Sequence, residues 1–385
     1  GREIDAFFAE LAVPVLDNVE LELAVRREEF SSGQESTDPK YGITWAPVEW
    51  LTLRATQGEA FIAPTTAQLF NPEQCGLGSV DDPFGPFNAF GTVCTGGNPN
   101  LRNEQSESSQ LGFDLELGDL DLHVTWNKTD FDNRIVNTLA QQIVDLDFFN
   151  FQQVTGFSGP GEPTVEQVQA WINNPASDPR IERSADNVQD ISLVRSGASN
   201  AESVEVTAWD IEGNYSFRLD NIGDFRIGLR ATYIDEWLFQ EDPTQPIIDG
   251  TGRLNDNTGT APGLPQIKAN VRLGWTNGNH SITSTVHYID DLIYDGPRFT
   301  GLVASVANTF PDPSIFDTGV LAWTDMDIAY TYRGLELFNG EMAFTLGSRN
   351  VFDREAQRSP DFAGVIGELQ DPTGRIIYGR LVYDF

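Results

Sequence analysis

FRIGLRATY, at residues 225–233, alternates apolar side chains with arginine, glycine or threonine at every second position. Successive side chains of a β-strand point to opposite faces, so this period of two predicts a strand with one apolar and one polar face. The same alternation recurs along the whole chain, at residues 19–26 (VELELAVR), 120–127 (LDLHVTWN), 267–275 (IKANVRLGW) and 342–347 (MAFTLG). The repeated pattern therefore predicts an all-β protein.

The patterned segments are long enough for strands that cross a lipid bilayer. Many run to about ten residues, which a tilted transmembrane strand needs, whereas strands of soluble proteins have a mode of about 5–6 residues. Aromatic residues near segment ends, such as Trp45, Trp275 and Tyr383, fit interfacial girdles, and core positions in a sandwich are the alternative. We predict a transmembrane antiparallel β-barrel with thirteen strands in this chain, at residues 2–15, 18–30, 38–45, 49–62, 104–117, 120–136, 189–217, 223–240, 263–276, 280–290, 320–332, 340–350 and 375–385.

The connections between these strands alternate in length. Tight turns such as residues 17–18, 118–119 and 277–279 alternate with mostly long connections. Outer-membrane barrels have short periplasmic turns and long outer loops, and an even number of strands. We therefore expect at least one further strand upstream, and extracellular loops at about residues 31–37, 63–103, 137–188, 241–262, 291–319 and 351–374.

The composition excludes two classes of protein. The chain of 385 residues has 24 Lys and Arg against 58 Asp and Glu, a net charge of −34, so no nucleic-acid partner is expected. It has no apolar run near the roughly 20 residues of a transmembrane helix, which excludes a helical membrane protein. The hydrophobic content of 39% still suits a barrel, because only half of each strand is apolar.

Cys75 and Cys94 are the two cysteines of the chain, and both lie in a stretch rich in glycine, proline and asparagine. This context favours one disulfide over a metal site or a redox CxxC motif, with two free thiols as the alternative. A disulfide would indicate an oxidising, extracytoplasmic environment.

Four motifs on successive elements resemble those of the TonB-dependent outer-membrane receptors. Residues 61–64 (FIAP) resemble the family's Phe-Arg-Ala-Pro segment, and residues 97–101 (GNPNL) with Glu104 resemble its GNPNL-x-x-E signature. Residues 350–353 (NVFD) resemble its Asn-Leu-Phe-Asp motif, and the C-terminal strand is similar to the family's final strand. The residues that carry the match are Phe61, Pro64, Gly97, Asn98, Pro99, Asn100, Leu101, Asn350, Phe352 and Phe385.

Three positions depart from the family's patterns. Ile62 stands where the family usually has Arg, Asn103 where it usually has Pro, and Arg380 where the assembly signal often has Gly. None of these substitutions changes the strand alternation.

The resemblance implies a receptor of about 22 strands whose lumen holds an N-terminal plug. Residues 1–385 would then be the C-terminal part of the barrel, with the plug and its TonB box outside this chain. It also implies active uptake of a ferric siderophore, cobalamin or an oligosaccharide across the outer membrane of a Gram-negative bacterium. The implied partners are outer-membrane lipid, lipopolysaccharide, the TonB energy-coupling complex and the substrate. A passive porin and a secreted acidic β-rich adhesin or binding protein are the alternatives.

Charged side chains at the polar positions of the strands are expected to face the lumen, because charges are costly on the lipid face. There they would contact the plug and luminal water, or the substrate. These residues are Asp121, His123, Arg226, Arg230, Lys268, Arg272, His287, Asp325 and Asp327.

The long loops carry many aromatic residues. Exposed rings could stack on sugars or catecholate-like ligands, and packing inside folded loops is the alternative. Thr164 and Gln167 form a capping-box pattern that predicts a short helix ending before Pro175. The candidate substrate-binding rings are Phe84, Phe87, Phe90, Phe148, Phe149 and Phe151.

No catalytic motif is recognisable in the chain. It lacks a GxSxG elbow, an HExxH pair and a phosphate-binding loop, so we predict no enzymatic activity. Its three histidines, His123, His280 and His287, are too scattered to predict a metal site, and no cofactor is expected. Acidic pairs at residues 81–82 and 290–291 are candidate Ca²⁺ ligands but lack the spacing of a defined Ca²⁺ loop.

Overall fold

The computed structural model describes most of the chain, and these residues adopt a predominantly β fold. They are residues 2–85, 89–158, 162–200, 203–240, 247–255, 263–293, 319–337, 340–357, 367 and 369–384. The helices among them are α1 (Thr66–Phe70), α2 (Ala140–Thr155) and α3 (Val165–Ile172). The strands are β1 (Ile4–Leu16), β2 (Val19–Phe30), β3 (Glu35–Val48), β4 (Leu51–Ile62), β5 (Gln74–Val80), β6 (Ala89–Gly96), β7 (Glu104–Leu117), β8 (Leu120–Asp132), β9 (Ile135–Thr138), β10 (Ile181–Arg183), β11 (Ile191–Asn200), β12 (Ser203–Leu219), β13 (Gly223–Gln240), β14 (Ile248–Asp249), β15 (Ile267–Asn277), β16 (His280–Ile289), β17 (Leu292–Ile293), β18 (Gly319–Val320), β19 (Trp323–Leu337), β20 (Gly340–Arg349) and β21 (Ile376–Asp384).

Thirteen long strands form one continuous antiparallel sheet. Its order is β1-β2-β3-β4-β7-β8-β12-β13-β15-β16-β19-β20-β21, and the two-residue strand β14 pairs beside β13. Strands that follow one another along the chain are therefore neighbours in the sheet, apart from the short strands in the connections. This arrangement confirms the all-β antiparallel fold and the thirteen strands that the alternation predicts.

Several strand boundaries differ from the prediction, and the segments 189–217 and 31–37 are two examples. The segment 189–217, predicted as one strand, contains β11 in a smaller sheet and β12 in the large sheet. Alternation continues through both strands, so it does not mark the point where the chain passes from one sheet to the other. The predicted loop 31–37 is also shorter, because β3 begins at Glu35 and the Phe30 N–H donates to the Gln34 carbonyl at 2.9 Å.

The register of the large sheet separates an apolar face from a polar face. Ile227 lies opposite Leu273, whereas Arg230 lies opposite Glu212, and residues directly opposite in antiparallel strands share a face. The apolar face is broad and exposed in this chain, which is typical of a lipid-facing band. Exposed residues on it include Leu23, Ile43, Leu111, Ile227, Leu273 and Leu346. Among the described residues no helix has the length and apolar character needed to cross a membrane.

The two ends of the large sheet carry different connections. At the short-turn end, tight turns join β1 to β2, β7 to β8 and β15 to β16. Gly118 and Gly278 have φ of +61° and +56° in these turns, a conformation that suits tight hairpins and favours glycine. At the opposite, long-loop end lie the long connections, including those between β4 and β7 and between β8 and β12.

Two of the long connections fold together into a loop subdomain, which comprises the described residues of 66–96 and 135–200. Its sheet has the order β10-β11-β6-β5, with β9 pairing β11, and β11 runs parallel to β6. Cys75 and Cys94 lie opposite each other on β5 and β6 and form a disulfide, as predicted. Helix α3 confirms the predicted capping box, because the Thr164 side chain accepts a hydrogen bond from the Gln167 backbone N–H.

Two hydrophobic clusters hold the loop subdomain together. Helix α2 packs on the small sheet through a cluster that contains Ile143, Val144 and Val194. A second cluster joins α2 to α3 and contains Phe151 and Trp171. Fully burying each such side chain contributes about 1.5–3 kcal/mol. The described residues of these two connections therefore form an ordered subdomain with its own core.

An ion pair is buried inside the loop subdomain. The Arg183 guanidinium donates to both carboxylate oxygens of Asp82, at 2.7 and 3.1 Å, and lies 4.5 Å above the Phe84 ring. Both side chains are almost completely buried, at 3% and 0% exposure. Removing one partner of such a pair leaves an uncompensated buried charge, so loss of either residue would destabilise the contact between the segments around residues 82 and 183.

Asp147 is a second buried carboxyl group in the loop subdomain. Its Oδ1 accepts hydrogen bonds from the Trp171 Nε1–H at 2.9 Å and from the Asp178 backbone N–H at 2.8 Å. Burial raises the pKa of Asp147 to about 6 in spite of these donors. Because the folded state binds this proton more tightly than the unfolded state, the group's contribution to stability falls as pH rises from about 4 through about 6.

We predict that Asp147→Asn removes this part of the pH dependence. Asparagine keeps the Oδ1 acceptor for both donors but does not titrate. The free energy of unfolding of the wild-type subdomain should therefore fall by up to about 3 kcal/mol between pH 4 and pH 7 relative to that of the variant. Hydrogen exchange of residues 140–172, corrected for intrinsic rates, measures the difference. Equal pH slopes in the two proteins would contradict the prediction.

Candidate functional site

The polar face of the large sheet carries a hydrogen-bonded charge cluster on β4, β7 and β8. Arg54 donates to both oxygens of Asp114, at 2.7 and 2.9 Å, and the same carboxylate lies 2.6 Å from His123 Nδ1. The other ring nitrogen of His123 lies 2.8 Å from Asp121. Both ring nitrogens therefore face carboxylates, an arrangement that suits a protonated imidazole.

A second cluster continues along the polar face on β12 and β13. Arg230 donates to Glu212 at 2.7 and 3.0 Å, and Asp210 accepts hydrogen bonds from Thr232 at 2.6 Å and from Asn127 at 2.8 Å. A cleft of about 390 Å³ is lined here by Asp210, Glu212, Arg230 and Thr232 together with His123, Lys268 and Asn270. The cleft is thus surrounded by both signs of charge.

A larger cleft lies towards the short-turn end of the same sheet. It has a volume of about 880 Å³, and its lining includes Arg218, Arg226 and Arg272. Arg218 pairs with Asp224 at 2.5 Å. In the described part of the chain, Arg226, Lys268 and Arg272 have no ion pair within 4.0 Å. These three cations are available to a partner on the polar face.

The third group of charged residues lies near the long-loop end. His287 on β16 lies opposite Asp325 on β19, and Asp327 is the next residue of β19 on the same face. Ligand atoms of the three side chains lie within 4.8 Å of one another. The structure therefore brings together residues that are distant in sequence.

All nine charged residues predicted to face the lumen lie at positions on the polar face. The structure groups Asp121 with His123, Arg230 with Lys268, Arg226 with Arg272, and His287 with the two aspartates. Sequence reasoning did not single out Arg54, Asp114, Glu212 or Asn270, which complete these groups. These four residues also occupy polar positions of the strand alternation, so the alternation could have identified them. The contact of these residues with a plug or substrate stays a prediction.

The candidate substrate-binding aromatics have different environments. Phe84 and Phe151 have 0% exposure and pack with Phe148 in the second cluster of the loop subdomain, so they are core residues and the idea of exposed stacking rings is wrong for them. The reason is that α2 and α3 form a core of their own, which the loop composition does not reveal. Phe90 is 70% exposed and Phe149 is half-buried, so they stay candidates. Phe87 lies outside the described residues.

One aspartate of each acidic pair considered as a Ca²⁺ ligand already accepts a hydrogen bond from a protein group. Both oxygens of Asp82 accept hydrogen bonds from Arg183, and Asp290 accepts one from the Tyr288 hydroxyl at 2.7 Å. A Ca²⁺ ion at Asp82 would have to compete with a buried guanidinium.

The GNPNL motif connects the large sheet to the loop subdomain. The Gly97 N–H donates to the Asn71 carbonyl at 2.9 Å, and the Asn98 N–H donates to the Gln68 carbonyl at 2.6 Å. The Asn98 side chain donates to the Ala198 carbonyl at 3.2 Å and accepts from the Asn100 N–H at 3.0 Å.

Pro99 follows in this turn, and buried Leu101 packs with Leu69 and Ala198. Glu104 accepts a hydrogen bond from the Ile135 N–H.

The other motifs also stabilise connections at the long-loop end. Phe61 makes an edge-to-face contact with Phe30 at 5.6 Å, and the Pro64 carbonyl accepts a hydrogen bond from Arg2 at 2.6 Å. Asn350 has φ of +45°, and its side-chain Oδ1 accepts from the Arg354 N–H at 2.8 Å.

One motif phenylalanine differs from this pattern. Phe352 is 75% exposed in this chain, and Phe385 lies outside the described residues. Phe352 is therefore not part of a packed core in the described residues, unlike Leu101 of the GNPNL motif.

Comparison with known proteins identifies related sequences and folds. The profile of the family described as "TonB dependent receptor-like, beta-barrel" matches residues 1–351. No curated protein matches the sequence. A solved structure of the ferric enterobactin receptor PfeA from Pseudomonas aeruginosa has a TM-score of 0.63 and 16% identity, and the match covers 100% of this chain and 45% of that one.

Two other solved structures have the same type of fold. The siderophore receptor PirA from Acinetobacter baumannii matches with a TM-score of 0.63 and 15% identity, over 100% of this chain and 46% of that one. The copper transporter OprC matches with a TM-score of 0.53 and 12% identity, over 100% of this chain and 48% of that one. The chain therefore spans slightly less than half the length of these structures.

We predict that Gly97→Ala loosens the GNPNL connection. A Cβ atom at this position would lie 2.6 Å from the Phe70 backbone nitrogen and 2.7 Å from that of Asn71, so the backbone must shift at a cost of about 1–3 kcal/mol. Hydrogen exchange of residues 66–101 should therefore accelerate. Gly76→Ala is the matched control, because its Cβ would have no neighbour within 4 Å. Equal exchange in both variants would contradict the role of Gly97.

Proposed function

Because this chain belongs to the TonB-dependent receptor β-barrel family, we propose that it forms part of the wall of an outer-membrane transporter that takes up a scarce nutrient with energy from the TonB complex. The observation that carries this proposal is the thirteen-stranded sheet, which has an exposed apolar face and a hydrogen-bonded charged face. The family comprises receptors and transporters, and we propose no enzymatic reaction.

The two faces of the large sheet support the proposal that the sheet lies within a lipid bilayer. An exposed apolar band suits contact with lipid, since it would be costly in water, and the charged face suits a water-containing interior. The pairs Arg54–Asp114 and Arg230–Glu212 partly neutralise that interior. The cations without a described ion pair, Arg226, Lys268 and Arg272, would pair with acidic groups of a plug or with an anionic substrate.

The two ends of the sheet support an orientation. In outer-membrane barrels, short turns lie on the periplasmic side and long loops on the outside. We therefore place the loop subdomain, with its disulfide between Cys75 and Cys94, outside the cell. An oxidising compartment is where such a disulfide is stable.

The first substrate class to test is a ferric siderophore. Two of the similar structures are named as a ferric enterobactin receptor and a siderophore receptor, although at 15–16% identity they support only the fold. The exposed Phe90 and the half-buried Phe149 of the loop subdomain are candidate contacts for a catecholate-like ligand. Cobalamin and oligosaccharides are the other substrate classes.

We expect the full-length protein to support uptake of radiolabelled ferric siderophore in a Gram-negative host that lacks its own siderophore receptors. Uptake should cease when TonB is deleted from the same host, because active transport needs that coupling. A cell with the empty vector is the control. Uptake that continues without TonB would favour a passive porin and contradict active transport.

We expect a membrane-impermeant maleimide to label Ala176→Cys on intact cells but Ile222→Cys only after lysis. Ala176 is an exposed residue of the loop subdomain, and Ile222 is 51% exposed in a turn at the short-turn end. The wild-type protein should stay unlabelled, because its cysteines form the disulfide. The reverse pattern of labelling would contradict the proposed orientation.

A further inference from the structure

His287, Asp325 and Asp327 form a compact group on the polar face near the long-loop end of the sheet. Their ligand atoms lie within 4.8 Å of one another, and His287 Nε2 is 3.7 Å from Asp327 Oδ2. His287 and Asp327 are 38% and 37% exposed, so an ion can reach the group from the polar face. Small adjustments of the side chains would bring the three atoms to the spacing of ligands around one metal ion.

The orientation of His287 leaves a nitrogen lone pair facing the carboxylates. Its Nδ1 lies 2.5 Å from the Asn270 side-chain oxygen, which can only accept a hydrogen bond, so Nδ1 carries the proton. In a neutral ring Nε2 is then an acceptor, and this is the atom that faces Asp327. Metal-binding histidines are commonly oriented by such a hydrogen bond from the second ring nitrogen.

Hydrogen bonds also orient the two carboxylates. The Trp323 Nε1–H donates to Asp325 Oδ2 at 2.9 Å, and the Asn350 N–H donates to Asp327 Oδ1 at 3.0 Å. Asp325 Oδ1 is buried and has no hydrogen-bond partner among the described residues. An orphaned carboxylate oxygen in a buried position is costly, and a cation would compensate for it.

The charge of the group also favours a bound cation. With a neutral His287 the two carboxylates give a local charge of −2, and no lysine or arginine of the described residues forms an ion pair with either of them. The Arg354 side chain lies nearby but donates to the Ala322 and Thr324 carbonyls, at 2.6 and 3.2 Å. A divalent ion would neutralise the pair.

His123 provides a contrast within the same sheet. It also has two carboxylate neighbours, but both of its ring nitrogens face a carboxylate oxygen and Arg54 pairs with Asp114. That cluster therefore contains its own cations and leaves no nitrogen for a metal. The other group with metal-ligand spacing among the described residues, Glu73 with Cys75 and Cys94, has its sulfur atoms in the disulfide.

We propose that His287, Asp325 and Asp327 bind a divalent transition-metal ion of the Mn²⁺ to Zn²⁺ series on the wall of the barrel. One imidazole and two carboxylates suit these ions, whereas Ca²⁺ and Mg²⁺ prefer oxygen ligands only. Three protein ligands leave further coordination positions open towards the polar face. This site goes beyond the proposed function, since neither nutrient uptake nor TonB coupling requires an ion bound to the wall.

Zn²⁺ binding to the full-length, tag-free protein in detergent tests the site. Isothermal titration of metal-stripped wild type should show one Zn²⁺ site, and His287→Gln and Asp325→Asn should each weaken it by at least about 100-fold, since even loss of an orienting partner costs about 10–100-fold. Asn270→Ala should weaken it by about 10–100-fold. His280→Gln is the matched control, because His280 lies on the same strand beside Tyr330 and Tyr332 and should leave Zn²⁺ affinity unchanged.

Folding of each variant is checked by heat-dependent migration in SDS gels, and Co²⁺ provides a second readout. Its visible absorption should report a nitrogen and oxygen ligand set in the wild type and disappear in His287→Gln. Zn²⁺ affinity that is unchanged in folded His287→Gln, or no Zn²⁺ binding to folded wild type at millimolar concentration, would overturn the proposal. Ca²⁺ binding as tight as Zn²⁺ binding would overturn it as well, because it would mean that the carboxylates act without the imidazole.

Discussion

The antiparallel hydrogen-bond ladder that joins thirteen strands is the constraint on which the rest of the structure depends. A lipid bilayer offers no hydrogen-bond partners, so each strand must satisfy its backbone groups through its neighbours. The ladder also fixes the register, and a slip by one residue would move Ile227 to the charged face and Arg230 to the lipid face. One interaction therefore determines both the continuity of the wall and the separation of its two surfaces.

The loop subdomain depends on polar contacts as well as on its own core. Gly97 and Asn98 hold α1 and the small sheet against the start of β7, and Glu104 binds the backbone at the start of β9. The buried pair of Asp82 and Arg183 links two segments far apart in sequence. Because these contacts are specific in direction, they place the loop subdomain at a defined position relative to the large sheet.

Much of the large sheet could be predicted from the sequence, but only local features of the loop subdomain could. The alternation identified all thirteen strands, and local signals identified the disulfide and helix α3. The parallel pairing of β11 with β6 was not predicted, and the burial of Phe84 and Phe151 was only the alternative to exposed stacking rings. These features arise from contacts between segments far apart in the sequence, and no periodicity within either segment encodes them.

The sequence by itself determined which side chains share a face, because a period of two assigns every residue of a strand to one side. It did not determine which residues lie at the same height, since that depends on the register between strands and on the connections that join them. His287 illustrates the difference: the alternation placed it among the polar positions, and its scattered sequence context suggested no metal site. Only the pairing of β16 with β19 set it opposite Asp325, with Asn270 and Asn350 orienting the ligands from neighbouring elements.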